Sequence, residues 1–205
     1  MYNRITNNNK SLTIPTENII KAAIINNFAR RTTKEFIVCN ELTFSSHNRI
    51  ADLVFCKDNK TYAFEIKAWN DDFRRFRHQL DMYCRSFDYI YLATTSNHIS
   101  SIASLPSYVG IIHFSRLGSI KYIRKATLNP NIDKQEILMS IPISFLRENS
   151  SQTKYTRSKS DLITLKEAKS LFVKYLHSKY RWTNSDLVNL LHYEDIIRNP
   201  DYIKL

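Results

Sequence analysis

Only two of the 205 residues are glycine, Gly110 and Gly118. The phosphate cradles of P-loop and dinucleotide-binding folds each need several glycines within one turn, so both architectures are excluded. The apolar residues must therefore be organised by helix and strand periodicity. Pro15-Thr16-Glu17 opens a helix in which Ile19, Ile20, Ala23, Ile24 and Phe28 recur at helical spacing. Residues 35–44 turn β-like, and Ser45-Ser46-His47-Asn48 supplies turn chemistry. Residues 49–55 and 61–68 alternate on either side of the polar turn Lys57-Asp58-Asn59-Lys60, which predicts a β-hairpin.

A helix is expected from Asp71-Asp72 to about Phe87, with Phe73, Phe76, Leu80, Tyr83 and Phe87 at spacings of three and four. Residues 89–94 and 109–114 are short, almost continuously apolar runs of the kind found in strands covered on both faces. Gly118 is placed to turn a last hairpin, and Asn129-Pro130-Asn131 ends the sheet-forming part. This order predicts an α/β fold, a mixed β-sheet flanked by helices. The expected organisation is a flexible lead over 1–14, a core over 15–145, a polar linker over 146–162 and a basic helical C-terminal extension over 163–205. The extension contains an amphipathic helix at 165–180, a last short helix capped by Asn184 or Ser185, and the aromatic anchor Trp182.

Thirty Lys+Arg against nineteen Asp+Glu give a formal charge of +11, which points to a polyanionic partner. Cys39, Cys56 and Cys84 have no CxxC spacing, which suits a reducing cytoplasm better than a disulfide framework or a zinc site. The apolar stretch Ile19 to Ile25 is interrupted by Lys21 and falls far short of the ~20 residues of a membrane span. Residues 1–10 are polar and unlike a secretory signal. No membrane partner is expected.

Within the hairpin, Glu65 and Lys67 are two apart on one strand and so share a face. Asp52 interrupts the apolar run of the preceding strand, where pairing would bring it beside Glu65. Two carboxylates ~4 Å apart repel by about 4 kcal/mol at an effective dielectric near 20, a cost that a cation between them removes. Oxygen ligands suit Mg²⁺ or Mn²⁺ rather than zinc. Two acids, a divalent ion and a lysine are the equipment of phosphodiester hydrolysis.

The succession Asp52, a turn, Glu65-Ile66-Lys67, then a helix carrying Gln79 and Tyr83 resembles the PD-(D/E)XK nuclease superfamily, including its QxxxY element. Residues 40–133 also resemble a group of uncharacterised bacterial and phage proteins. These share Arg49-Ile50-Ala51-Asp52, the Glu-Ile-Lys strand, the Gln-x-x-x-Tyr helix and Asn129-Pro130-Asn131-Ile132-Asp133 in the same order. The resemblance implies a restriction-endonuclease-like sheet, a metal held by Asp52, Glu65 and the carbonyl of Ile66, and catalysis assisted by Lys67, Gln79 and Tyr83. A further acid is expected from Glu17 or Glu41, with Glu41 preferred because its strand leads toward the site. Ala51 stands where the motif has its proline, a position that contributes no ligand. The implied substrate is nucleic acid, DNA in preference to RNA.

Candidate phosphate contacts are Arg49, Arg74, Arg75 and Arg77, and, in a stretch without acids between Asp88 and Asp133, Arg116, Lys121, Arg124 and Lys125, with Tyr122 as a stacking surface. The six histidines form no ligand pattern, although His47 is close enough to the site in sequence to be weighed as a general base. Two rival readings use the same residues. One is a catalytically silent nucleic-acid binder or adaptor. The other is a defence or toxin effector that needs a protein partner. The C-terminal helices are candidates for a homodimer or partner contact.

Overall fold

A computed structural model describes residues 16–180 apart from 70, 72, 96–101, 103, 116, 117 and 153, and for residues 73–75 the backbone only. The flexible lead expected over 1–14, Trp182 and the helix expected at 184 lie outside the described residues.

The chain forms a six-stranded sheet in the order β1 (Ile37–Phe44), β2 (Arg49–Lys57), β3 (Lys60–Lys67), β4 (Tyr89–Thr94), β5 (Gly110–Phe114), β6 (Ile120–Arg124). β3–β4 and β4–β5 pair in parallel, and the remaining neighbours pair antiparallel. The mixed sheet is thus the one the sequence predicts. The turns follow from local chemistry. Asp58 and Asn59, with φ of 51° and 57°, make the two-residue left-handed loop that matches strand twist between β2 and β3. Gly118, at φ 82°, closes the β5–β6 turn, where the Ser115 amide donates to Ser119 O over 2.9 Å. Gly110 is needed for close approach, because a Cβ there would collide with the ring of Tyr91.

Alternate strand residues feed two cores. On one face, α1 (Glu17–Arg30) packs Ile20, Ala23 and Ile24 against Phe36, Leu53, Phe55, Phe64 and Ile66. On the other, α2 (Phe73–Ser86), α3 (Lys134–Met139) and α5 (Leu165–Lys179) cover Cys39, Leu42, Ala63, Leu92 and Ile111. Each such large side chain removed from water contributes about 1.5–3 kcal/mol.

Two features depart from expectation. Residues 146–162, expected as a polar linker, contain the end of α4 (Ile143–Asn149) and a 3₁₀ segment, Arg157–Leu162. Leu146 and Tyr155 there are fully buried in the same core as Phe172 and Leu176 of α5. The C-terminal helix over 165–179 thus packs into the same core as α2 and the sheet. The segment's two arginines are spent internally. Arg157 donates to the carbonyls of Leu138 and Ile141, and Arg147 to that of Tyr155 over 3.3 Å. Second, α3 and α4 are too short to register as periodic patterns. The cap of α3 is nonetheless legible, since the Asp133 carboxylate accepts from the Gln135 amide over 2.8 Å.

The Asn129-Pro130-Asn131-Ile132-Asp133 segment is a strap across the end of α2. The Asn129 side chain, buried, donates to the carbonyls of Cys84 and Phe87, and the Asp133 amide donates to Arg85 O over 2.8 Å. Asn129→Ala orphans two helix-end carbonyls. At about 1–3 kcal/mol for each buried unsatisfied group, urea unfolding is expected to show a loss of about 2–4 kcal/mol with an unchanged m-value; a loss below ~0.5 kcal/mol would show that water replaces the strap.

Candidate active site

The site begins with a fault in the β1–β2 ladder. Ile37 and Cys39 face the α2 side of the sheet, yet so do Leu42 and Phe44, so the alternation of β1 slips by one residue between them. β2 slips at the same level, with Ala51, Val54 and Cys56 on the α2 side and Leu53 on the other. The slip falls at Glu41, held at φ 53°, and at Asp52, which would stand opposite it. Beyond the Leu53↔Phe64 pair, β2 also parts from β3. Strand divergence would leave the Ile66 amide without a ladder partner, and the Asp52 carboxylate accepts from it over 2.6 Å.

Glu65 and Lys67 project from β3 toward α2, both buried. The Lys67 ammonium lies 2.5 Å from Glu65 Oε1, and the Tyr83 hydroxyl donates to Glu65 Oε2 over 2.6 Å. Lys67 also donates to the Gln79 side-chain oxygen over 3.2 Å. Gln79 and Tyr83 are four apart on α2, hence on one helix face, and that face looks onto the Glu-x-Lys pair. Tyr83 is held in place by edge contact with the Phe44 ring at 5.2 Å and by Phe87 at 5.5 Å. It is at once core and site.

Charge is concentrated here. Burial, then the neighbouring charge of Glu65, pushes the Asp52 carboxyl up to about 8. The Ile66 amide and the charge of Lys21 pull in the opposite direction, and Glu17 adds to the rise. Burial and then the Glu65 and Asp52 charges keep the Tyr83 phenol well above its ordinary range, so it remains a donor.

Lys21 is the participant that sequence reasoning missed. It is fully buried on α1, with its ammonium 2.7 Å from Glu17 and 3.4 Å from Glu41. The available signal was its position inside an apolar helix run, four residues after an acid. Glu17 and Glu41 are thus tied to one lysine. Glu17 is the one whose charge acts on Asp52, whereas Glu41 is directed at Lys21 with its side chain 61% exposed.

The basic residues fall into different places. Arg49 is exposed at the start of β2. Register carries a line from Lys67 through Thr94 and His113 to exposed Lys121, so Lys121 shares the sheet end and face of the site. Arg77 donates to the Ser104 hydroxyl over 2.7 Å. Arg124 is occupied by the carbonyls of Val109, at 2.7 Å, and Pro106, at 2.9 Å, at the far end of β6. Lys125 is exposed beside it. The side chains of Arg74 and Arg75, and Arg116 altogether, lie outside the described residues. His47 is exposed in the β1–β2 turn, its ring 2.8 Å from the Ser46 hydroxyl.

Among the described residues no three His, Cys, Asp or Glu side chains converge as a ready ligand set. The donor set that does fit a metal is smaller: Asp52 and Glu65, with the Ile66 carbonyl next to Glu65 in sequence. Mg²⁺ asks for no more, since one or two carboxylates with water and substrate phosphates complete its shell. The electrostatic tension on Asp52 is what such an ion would relieve.

Fold and site together define a helix–sheet–helix α/β protein carrying a buried glutamate, a half-buried aspartate and a buried lysine at the end of its central strands. Residues 10–202 match the family described as Bacteriophage P4 protein cII, and the chain belongs to that family. No curated protein matches it. Among solved structures, a protein of unknown function from Silicibacter pomeroyi is similar at a TM-score of 0.41 and 10% identity, over 81% of this chain and 82% of that one. No helix among the described residues is long and apolar enough to cross a membrane.

The raised Asp52 carboxyl has a stability consequence. Folded Asp52 keeps its proton up to about 8, whereas the unfolded group releases it near 3.8, so the folded state loses stability as pH rises between those values. Asp52→Asn keeps an oxygen for the Ile66 amide and cannot ionise. In metal-free buffer, urea midpoints measured from pH 5 to 8.5 are expected to shift progressively in favour of Asp52→Asn. A constant difference would show that Asp52 titrates as an ordinary carboxylate.

Proposed function

We propose that the chain is a metal-dependent nuclease of PD-(D/E)XK type, hydrolysing phosphodiester bonds in nucleic acid, DNA in preference to RNA. The observation that carries this reading is the convergence of Asp52, Glu65 and Lys67 under the Gln79–Tyr83 face of α2, five side chains from three elements, with Glu65 buried and Asp52 half-buried beside it.

The chain's own residues divide the work. Asp52 and Glu65 would hold Mg²⁺ or Mn²⁺ together with the Ile66 carbonyl, and Glu17 or Glu41 could reach a water in its outer shell. Such an ion, when bound, supplies a Lewis acid for the phosphoryl oxygens and a more acidic water. Tyr83 fixes one oxygen of Glu65 and so orients the carboxylate. Gln79 holds the Lys67 ammonium over the site, where it would orient the attacking water or neutralise charge developing on the phosphate. Arg49 and Lys121, exposed at this end of the sheet, are suited to phosphates on either side of the scissile one. The three cysteines are reduced and buried, which agrees with a cytoplasmic setting.

One observation favours a second reading, a binder or adaptor without catalysis. Both oxygens of Glu65 are already engaged, by Lys67 and by Tyr83. The two readings separate on metal dependence. Wild type and Lys67→Ala, each checked for fold by circular dichroism, are incubated with linear duplex, circular duplex and single-stranded DNA in Mg²⁺, Mn²⁺ or EDTA. Cleavage by wild type is expected in either metal, abolished by EDTA and reduced about 100-fold or more in Lys67→Ala. Binding by both proteins with no cleavage of any substrate would establish the binder instead.

A further inference from the structure

A second concave site, of about 160 Å³, lies on the α1 face of the sheet, opposite to the face of Glu65 and Lys67. Its walls are aromatic, with Tyr62, Tyr91 and Tyr122 contributed by β3, β4 and β6. Its rim is cationic. Arg31 follows α1, Lys57 ends β2 and Lys125 follows β6, so three separate segments bring a positive charge to one hollow. No carboxylate lines it, and among the described residues no ion pair joins any of these three cations to an acid. Asp58, the acid next to Lys57 in sequence, is bound to Lys34 at 3.0 Å.

Arg31 is not a loose surface arginine. Its guanidinium lies 4.6 Å from the centre of the Tyr122 ring, which holds it at the rim. The Tyr122 hydroxyl donates in turn to Asn27 on α1 over 3.2 Å, fixing the ring. Burial pushes the Tyr62 phenol up to about 12, so the wall adds no negative charge at neutral pH. Cations gathered without a counter-ion repel one another, and an anion entering the hollow relieves this. Aromatic walls under a basic rim are the pairing that accepts a base together with its phosphate.

We propose that this hollow binds a nucleoside phosphate, its base against the tyrosine walls and its phosphate at Arg31, Lys57 and Lys125, either as a free nucleotide or as one unit of a single strand. The proposal does not rest on the nuclease reading, because the hollow shares no residue with that site.

The test is made on the full chain in EDTA, so that no strand is cut. Calorimetry measures dTMP and inorganic phosphate separately, and fluorescence anisotropy measures labelled (dT)12, for wild type, Lys57→Gln/Lys125→Gln, Arg31→Gln and Lys166→Gln, all checked by circular dichroism. Wild type is expected to bind dTMP about tenfold more tightly than phosphate. The double variant and Arg31→Gln should weaken dTMP about tenfold, while Lys166→Gln, on the exposed face of α5, leaves dTMP unchanged. If the occupant is part of a strand, (dT)12 affinity falls in parallel and the salt slope drops by about 0.7 for each lost cation. If it is a free nucleotide, (dT)12 is unaffected while dTMP still weakens. Equal affinity for dTMP and phosphate, no binding of dTMP, or dTMP affinity unchanged in the rim variants would each overturn the proposal.

Discussion

The Asp52 carboxylate stands where a backbone carbonyl would be expected. β2 separates from β3 beyond Leu53↔Phe64, and the Ile66 amide at the end of the central strand would be left without a partner in a buried place. An unpaired buried amide costs about 1–3 kcal/mol, and a side-chain oxygen supplies the bond at 2.6 Å. The consequence is a carboxyl held beside Glu65, with the mutual repulsion and burial that raise it to about 8. The rest of the site answers that arrangement. Lys67 and Tyr83 bind Glu65, Gln79 holds Lys67, and Lys21 is drawn fully into the interior of α1 between Glu17 and Glu41. The left-handed Glu41 is the backbone counterpart of the same fault, a residue type without special tolerance for that conformation held there by its surroundings.

What can be read from the residues alone divides along physical lines. The β2–β3 hairpin is legible because Asp58-Asn59 tolerates the left-handed turn and the flanking residues alternate; β4 and β5 are legible because strands covered on both faces are continuously apolar. The neighbourhood of Asp52 and Glu65 follows from hairpin register, and the Gln79–Tyr83 face from helical spacing. Lys21 is hidden because a buried lysine looks like a solvated one until its partners are located. Residues 146–162 are polar on average, yet Leu146 and Tyr155 suffice to anchor them, and composition averages such anchors away. The slip in β1 and β2 was beyond reach, since period-two reasoning presumes that the alternation is unbroken.

The segment Asn129-Pro130-Asn131-Ile132-Asp133 shows why a motif and a site are different things. Its asparagine and aspartate carry chemistry-bearing groups, and both are used on helix ends: Asn129 on the last carbonyls of α2, Asp133 on the first amides of α3. Their task is to hold α2 at the angle from which Gln79 and Tyr83 meet the Glu-x-Lys strand. Asp88 works in the same way just beyond that end of α2, where its buried carboxylate takes the Thr61 amide at 3.0 Å and the Lys169 ammonium at 2.7 Å and so locks α5 to the sheet.

A formal charge of +11 overstates what a polyanion would meet. Arg124, Arg147 and Arg157 are turned onto backbone carbonyls, Lys169 onto Asp88, Lys21 onto two carboxylates and Lys67 onto Glu65. These groups neutralise partial or full charges inside the fold, and exposing them would uncover the very acceptors they satisfy. The outward potential therefore comes from fewer cations, and they are not spread evenly. Arg49 and Lys121 are exposed at the sheet end that carries Asp52 and Glu65, while Arg31, Lys57 and Lys125 surround the tyrosine walls on the α1 face. Long-range attraction follows the total charge, whereas a local phosphate contact needs cations not already spent on internal acceptors, and the hollow rimmed by Arg31, Lys57 and Lys125 gathers three that no acid among the described residues pairs with.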